Sequence, residues 1–208
     1  MPTVTLQSLR ASVRKYTGSP NENQLTTAEI DSAINHFYRE VLPSLASLEE
    51  LKGFYSFDAD DQGEQALPDS VVSVGPPCMI DNIICGFFYS PGLFWLKHAG
   101  ASASIPEDLL LVGRKLYLGP PADANGPYAV KMSSIDKPAI LASAGQTLIA
   151  DRFKDSVELG ASVSVLLKRE DDEAVTLLNQ HLVSFVGALQ ALGVQVDAQT
   201  AKETLQKE

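Results

Sequence analysis

Cysteine is scarce: Cys78 and Cys85 are the only two in 208 residues. Their C-x6-C spacing matches no zinc-binding pattern, and no histidine stands close enough in sequence to complete a ligand set. Two reduced, semi-buried thiols are the expectation. Basic runs are missing too. No run of Lys or Arg exceeds two residues, and the formal net charge is -10. A surface of that sign repels nucleic acid and anionic lipid over most of its area, although DNA can still pass close by. No apolar run approaches the roughly 20 residues that span a bilayer. The opening "MPTVTLQSLRASVRKY" lacks the apolar core of a secretion signal. These absences predict a soluble intracellular protein with no membrane partner. Internal repeats and low-complexity segments are absent as well.

Site chemistry is equally thin. "VGRKLYLGPP" holds glycines and cations, but a phosphate loop needs G-x-x-x-x-G-K-[ST]. Here five residues, not four, separate Gly113 from Gly119, and Pro120 and Pro121 occupy the Lys and Ser/Thr places. Proline donates no N–H to a phosphate. A two-residue hairpin turn at Gly113-Arg114 is predicted instead, with Gly113 at positive φ and Arg114 exposed. His36, His98 and His181 have no metal-ligating partner at i+3 or i+4, and each reads as packing or surface. "ADD" at 59–61 lacks the alternating ligands of a Ca²⁺ loop. There is no G-x-S-x-G elbow. Glu49-Glu50 and Asp171-Asp172 are helical neighbours pointing about 100° apart, which makes neither an acid/base pair. Trp95, between Phe94 and Leu96, reads as core or interface, since too few cations surround it for a base-stacking platform. No catalytic, cofactor or metal residue is nominated.

What is present is a change of period along the chain. Leu6, Leu9, Val13 and Tyr16 mark one helix face, with Thr5 as cap and Gly18 and Pro20 as terminators. Thr26 and Glu29 have capping-box spacing, with Leu25 and Ile30 as a hydrophobic staple. Ile30, Ile34, Phe37, Tyr38, Val41 and Leu42 form the second stripe, which Pro43 kinks or restarts. Leu45, Leu48 and Leu51 continue it. From Phe54 short apolar runs alternate with turn residues: "FYSFDA", "VVSV", "MIDNIICGFFYS" as one strand or a bulged pair, "GLFWLKH", "LLLV", "KLYL" and "YAVKMSSI". Such spacing indicates a small antiparallel sandwich or barrel. Helical period returns at Ile149, Phe153, Val157, Ala161 and Val165. "KREDDE" either breaks this helix, with Asp171 or Asp172 capping the next, or lies within one long helix. Val175, Leu178, Leu182, Phe185 and Leu189 form the last stripe. The polar tail is expected to fray unless a partner orders it.

The expected fold is therefore α+β. Residues 1–53 and 136–192 supply a helical bundle, a small antiparallel β-sandwich or barrel spans 54–135, and 193–208 is a tail.

The order of these segments resembles the head-to-tail adaptor (connector) proteins of tailed bacteriophages. The resemblance rests on "LTTAEIDSAINHFYREVLP", with Thr26, Glu29, Ile34 and Asn35, and on "YSFDADDQGEQALPDSVVSV". It continues through "LLLVGRKLYLGPPADANGPYAVKMSSIDKPAIL" and the closing "LIADRFKDSVELGASVSVLLKREDDEAVTLLNQHLVSFVGAL". It covers most of Leu6 to Leu192, and residues 77–103 depart from it by being more apolar and aromatic. It implies an assembly protein without turnover, made in the host cytoplasm and resident in the virion neck. It implies a homo-oligomeric ring, typically dodecameric, seated beneath the portal protein and offering a platform to the next tail or neck protein. Genomic DNA would pass through without specific binding. On this resemblance the tail engages the portal through Val194, Val196, Thr200 and Leu205, and Arg114 and Trp95 contact neighbouring subunits. Another neck or tail component, a stopper or tail-tube protein, is the alternative, followed by a virion-associated hydrolase.

Overall fold

Thr5 and Ser8 cap each other: the Ser8 N–H donates to Thr5 Oγ1 at 3.2 Å and the Thr5 N–H donates to Ser8 Oγ at 3.1 Å. This starts α1 (Leu6–Tyr16), which buries Leu6, Leu9 and Val13. The structure, a computed structural model, describes residues 4–45, 49–60, 63–169 and 172–206. The expected capping box forms at Thr26 and Glu29 and opens α2 (Thr27–His36), with Leu25 and Ile30 both buried. Arg10 clasps Asp31 through two hydrogen bonds of 2.6 Å, joining the two helices. Pro43 produces no break. The helix widens instead into a π turn over Phe37–Val41, where the Leu42 N–H reaches back to Phe37 O, and continues as α3 (Leu42–Leu45). A wider turn relieves the clash between a proline ring and the carbonyl four residues before it. Leu48, expected in the next turn, lies outside the described residues. Glu49–Leu51 form a single 3-10 turn.

The chain divides into two compact units, one from residues up to Glu50 and from Lys137 onward, the other from Leu51–Asp136. The second unit holds eight strands among its described residues: β1 (Lys52–Ala59), β2 (Glu64–Ala66), β3 (Val71–Ile80), β4 (Ile83–Ile84), β5 (Gly86–Phe88), then β6 (Asp108–Val112), β7 (Lys115–Gly119) and β8 (Tyr128–Asp136). They make two four-stranded sheets, ordered β1-β8-β3-β4 and β2-β7-β6-β5. All pairings are antiparallel except β5 with β6. Tyr128, Val130 and Met132 of β8 alternate inward and join Leu109, Leu116 and Leu118 of the other sheet in one cluster. Gly113 turns the β6–β7 hairpin at φ +58°, as its spacing predicts.

Two segments of the β unit differ from the sequence reading. "MIDNIICGFFYS" is neither one strand nor a bulged pair. Asp81 (φ 48°) and Asn82 (φ 66°) make a tight turn, and the chain leaves β4 to join the other sheet as β5. Two successive positive φ values mark the hairpin turn that Asp and Asn tolerate best after glycine. "GLFWLKH" is not a strand but the helix α4 (Pro91–Lys97). Its aromatic composition suggests β structure, but Ser90-Pro91 is a helix-start pair, because proline at the first position lacks only an N–H that would be unpaired anyway.

In the helical unit, the helix expected from Ile149 begins later. A 3-10 turn at Asp151–Phe153 leads into α5 (Lys154–Leu167). Two helices form in place of one long one, the second being α6 (Asp172–Ala191). Asp171 lies outside the described residues. Val175 of the expected stripe faces solvent, while Leu178, Phe185 and Leu189 are buried. Every residue of α5 from Ser156 to Leu166 is buried, because α1, α2, α6 and the π turn all pack on it. Ser162 and Ser164 satisfy their hydroxyls on the carbonyls of Glu158 and Gly160, one turn back. The tail does not fray. Asp197 Oδ1 accepts the Thr200 N–H at 2.7 Å and caps α7 (Ala198–Gln206), which packs on α5 and α6 with Ala201 fully buried. A single small residue at the contact suffices for close helix approach, and hydropathy patterning gives it little weight.

Glu158 is the one buried carboxylate of α5, 2% exposed, and its Oε1 accepts the Ser12 hydroxyl at 2.8 Å. Burial raises its pKa above the ordinary 4.5, against the opposing effects of the Ser12 hydrogen bond and Lys154. The native state then binds more protons than the unfolded chain just above pH 4.5, so stability falls as pH rises through that window. Glu158→Gln keeps an acceptor for Ser12 and removes the buried charge. It is expected to raise stability at neutral pH by about 1 kcal/mol, roughly 2–4 °C in Tm. It should also flatten the slope above the unfolded pKa, which thermal melts across a pH series would read.

Candidate functional site

Helix α4 is short and would not hold its shape alone. It is pinned from below. Phe94 and His98, one turn apart and so on one face, both point inward, and their rings sit 4.9 Å apart. His98 Nε2 lies 2.8 Å from Asp108 Oδ2, and Lys97 Nζ donates to the same oxygen. Asp108 is itself buried at the start of β6. Two glycines make room for this clamp. A Cβ on Gly86 would fall 2.1 Å from Asp108 Oδ1, and one on Gly119 would fall 2.5 Å from the His98 ring. Aromatic contacts complete the seat: Phe88 against Phe94 at 5.8 Å and Trp95 against Tyr117 at 5.7 Å.

The outward face of this pinned helix is apolar. Leu93 is 61% exposed, Trp95 51% and Leu96 76%. Tyr89, just ahead of the helix, is exposed as well. Large apolar side chains held rigidly in water mark a contact surface when they cluster. From Pro76 to Pro106 the only full charges are Asp81 and Lys97, against a net -10 for the chain. A neutral segment on an acidic protein lets a second acidic surface approach without like-charge repulsion.

A buried His–Asp pair is part of a nucleophilic triad, yet Asp108 occupies His98 Nε2, and the imidazole is shielded from solvent. Cys85 lies near Asp108, but burial and Cys78 push its thiol up to about 12, the opposite of an activated nucleophile. The β unit has a groove of about 610 Å³ beside β1, β3 and β8, where Lys52 and Tyr89 are the titratable lining residues. Its lining brings in no carboxylate, imidazole or thiol. Among the described residues no group of three or more His, Cys, Asp or Glu could hold a metal, and no helix is long and apolar enough to cross a membrane.

The residues nominated from sequence are placed as follows. Trp95 is on the exposed face of α4. Arg114 turns back onto its own unit, donating from Nη2 to Pro68 O at 2.7 Å and Val71 O at 3.1 Å, so its guanidinium ties down the 67–71 turn. Val194 is buried, Val196 and Leu205 are half-buried, and Thr200 is exposed as part of the α7 cap. Leu93, Leu96 and the Asp108 clamp were not nominated. The Ser90-Pro91 start signal was the one cue in the sequence that could have turned α4 the right way and shown which residues share its outer face. No family model matches the chain, and no curated protein matches it.

Proposed function

We propose that this chain is a structural assembly protein, the head-to-tail adaptor of a tailed bacteriophage. Several copies form a ring under the portal protein, extend the DNA channel and receive the next neck or tail protein. On this reading the terminal helices are the bundle and the strands are a sandwich or barrel inserted into it. The observation that carries the proposal is the outer face of α4, where Leu93, Trp95 and Leu96 are held in water by the buried His98–Asp108 hydrogen bond beneath them. Catalysis needs convergent titratable groups in a cleft; assembly needs a stiff apolar face, because hot spots of association are buried aromatic and apolar anchors. The order of helices and strands that resembles the adaptors supports the same reading. The net charge of -10 suits a channel through which DNA slides without sticking.

Mixing the purified chain with portal protein and imaging by electron microscopy tests it. Rings on the portal are expected. Leu96→Glu changes a solvent-facing side chain, so the variant should keep its fold and lose assembly by about 30-fold or more, the scale of a hot-spot loss. Binding to a tail protein but not to portal would move the chain to a stopper or tail-tube role. Failure to assemble with either would overturn the proposal.

A further inference from the structure

Cys78 lies in β3 and Cys85 follows β4. Met79 pairs with Ile84 and Ile80 with Ile83, so Cys78 stands opposite Cys85 in the same register. The Cys85 N–H donates to Cys78 O at 3.1 Å, which makes them a hydrogen-bonded cross-strand pair. Such pairs hold their Cα atoms about 5.5 Å apart, inside the range that disulfides span. Opposed residues project on one face, and here the two Sγ atoms are 3.1 Å apart. Both thiols are free. A disulfide needs about 2.05 Å, so the sulfurs must close by about 1 Å, a side-chain adjustment that leaves the register intact.

We propose that Cys78 and Cys85 are a reversible modification site, which a small-molecule disulfide such as glutathione disulfide converts to an intramolecular disulfide. Burial sets the order of events. Cys78 is buried and Cys85 half-buried, so Cys85 is the sulfur an oxidant reaches. Cys85 loses its proton to solvent, and its thiolate attacks one oxidant sulfur. A mixed disulfide forms and one glutathione leaves. Cys78 then gives up its proton, and its sulfur attacks Cys85 Sγ. The Cys78–Cys85 bond forms and the second glutathione leaves. Two protein thiols are oxidised and one small disulfide is reduced to two thiols. The product staples β4 to β3. That matters because β4 is a two-residue edge strand with Ile83 and Ile84 exposed, held to the sheet by little else. The thiol pKa of Cys85, about 12, makes thiolate rare at neutral pH and the reaction correspondingly slow. None of this depends on the adaptor reading.

Reduced protein incubated with excess glutathione disulfide at mildly alkaline pH tests the proposal by intact mass, thiol titration after unfolding and gel filtration. The expected product is monomeric, lighter by two hydrogens, without free thiols and restored by dithiothreitol. Its rate should rise about tenfold per pH unit while thiolate remains the minor form. Cys85→Ser should leave Cys78 unmodified in the native state, and Cys78→Ser should retain one glutathione on Cys85. If Cys78→Ser does not fold, the mass of the wild-type product alone decides. Retained glutathione on the wild type, two surviving thiols or chain-to-chain linkage would each overturn the proposal.

Discussion

Gly160→Ala is expected to destabilise the helical unit by about 1–3 kcal/mol, the scale of an overpacked core. The usual sign of this substitution inside a helix is the reverse, since alanine is favoured over glycine by about 1 kcal/mol. Here α5 approaches the π turn so closely that a Cβ on Gly160 would sit 2.4 Å from the Phe37 ring, with two more ring carbons at 2.5 and 2.6 Å. The ring has nowhere to retreat. It is fully buried and packs edge-on against Phe185 at 5.5 Å. Gly187 is the internal control. It too lies within a helix, α6, but is exposed, and its added Cβ would meet nothing within 4 Å. Gly187→Ala is therefore expected to stabilise by about 0.5–1 kcal/mol. Denaturant titration of both variants reads the opposite signs directly. If Gly160→Ala stabilises as Gly187→Ala does, the close approach of α5 to Phe37 is not a feature of the folded protein.

Asp108→Ala carries the other large effect, a loss of about 3 kcal/mol from the β unit. Removing Asp108 takes the hydrogen-bond partner from the buried His98 ring nitrogen, and an unsatisfied buried polar group costs up to about 3 kcal/mol. His98 bears this loss, because Lys97 is about half exposed and keeps its water. The consequence is local before it is global. Without the clamp, the ring contacts of Phe94 and Trp95 are left to hold α4. Trp95 is the one tryptophan of the chain and sits on this helix, so its emission reports the event. A red shift below the main unfolding transition is expected for Asp108→Ala. Asp108→Asn keeps an acceptor for His98 and should lose about half as much. Unchanged emission and an unchanged melt in Asp108→Ala would remove the clamp as the support of the apolar face.

Much of the helical unit is readable from neighbouring residues. Thr5 with Ser8 and Thr26 with Glu29 act within one turn, and the stripe from Ile30 to Leu42 follows the helical period into the core. Gly113-Arg114 is legible for the same reason, because a two-residue turn needs positive φ at its first position and glycine supplies it. The exposed site was less legible. Trp95 stood out by its apolar neighbours, but Leu93 and Leu96 depend on α4 being a helix. In a strand, Leu93 and Leu96 would point to opposite faces. Asp108 gave no local sign at all, because its partners His98 and Lys97 lie ten and eleven residues away across a loop.

The sequence by itself determined where α1 starts and stops, where α2 starts, where the β6–β7 hairpin turns and that no standard catalytic motif is present. These are properties of residues within a few positions of one another. The tertiary structure alone decided that α5 is enclosed on every side, that α7 is docked through Ala201 and that Arg114 folds back onto its own turn. It also decided that α4 is held as a rigid apolar face. Each of these depends on which distant surface covers a side chain, and amphipathic period reports only that some face is covered, not by what or how completely.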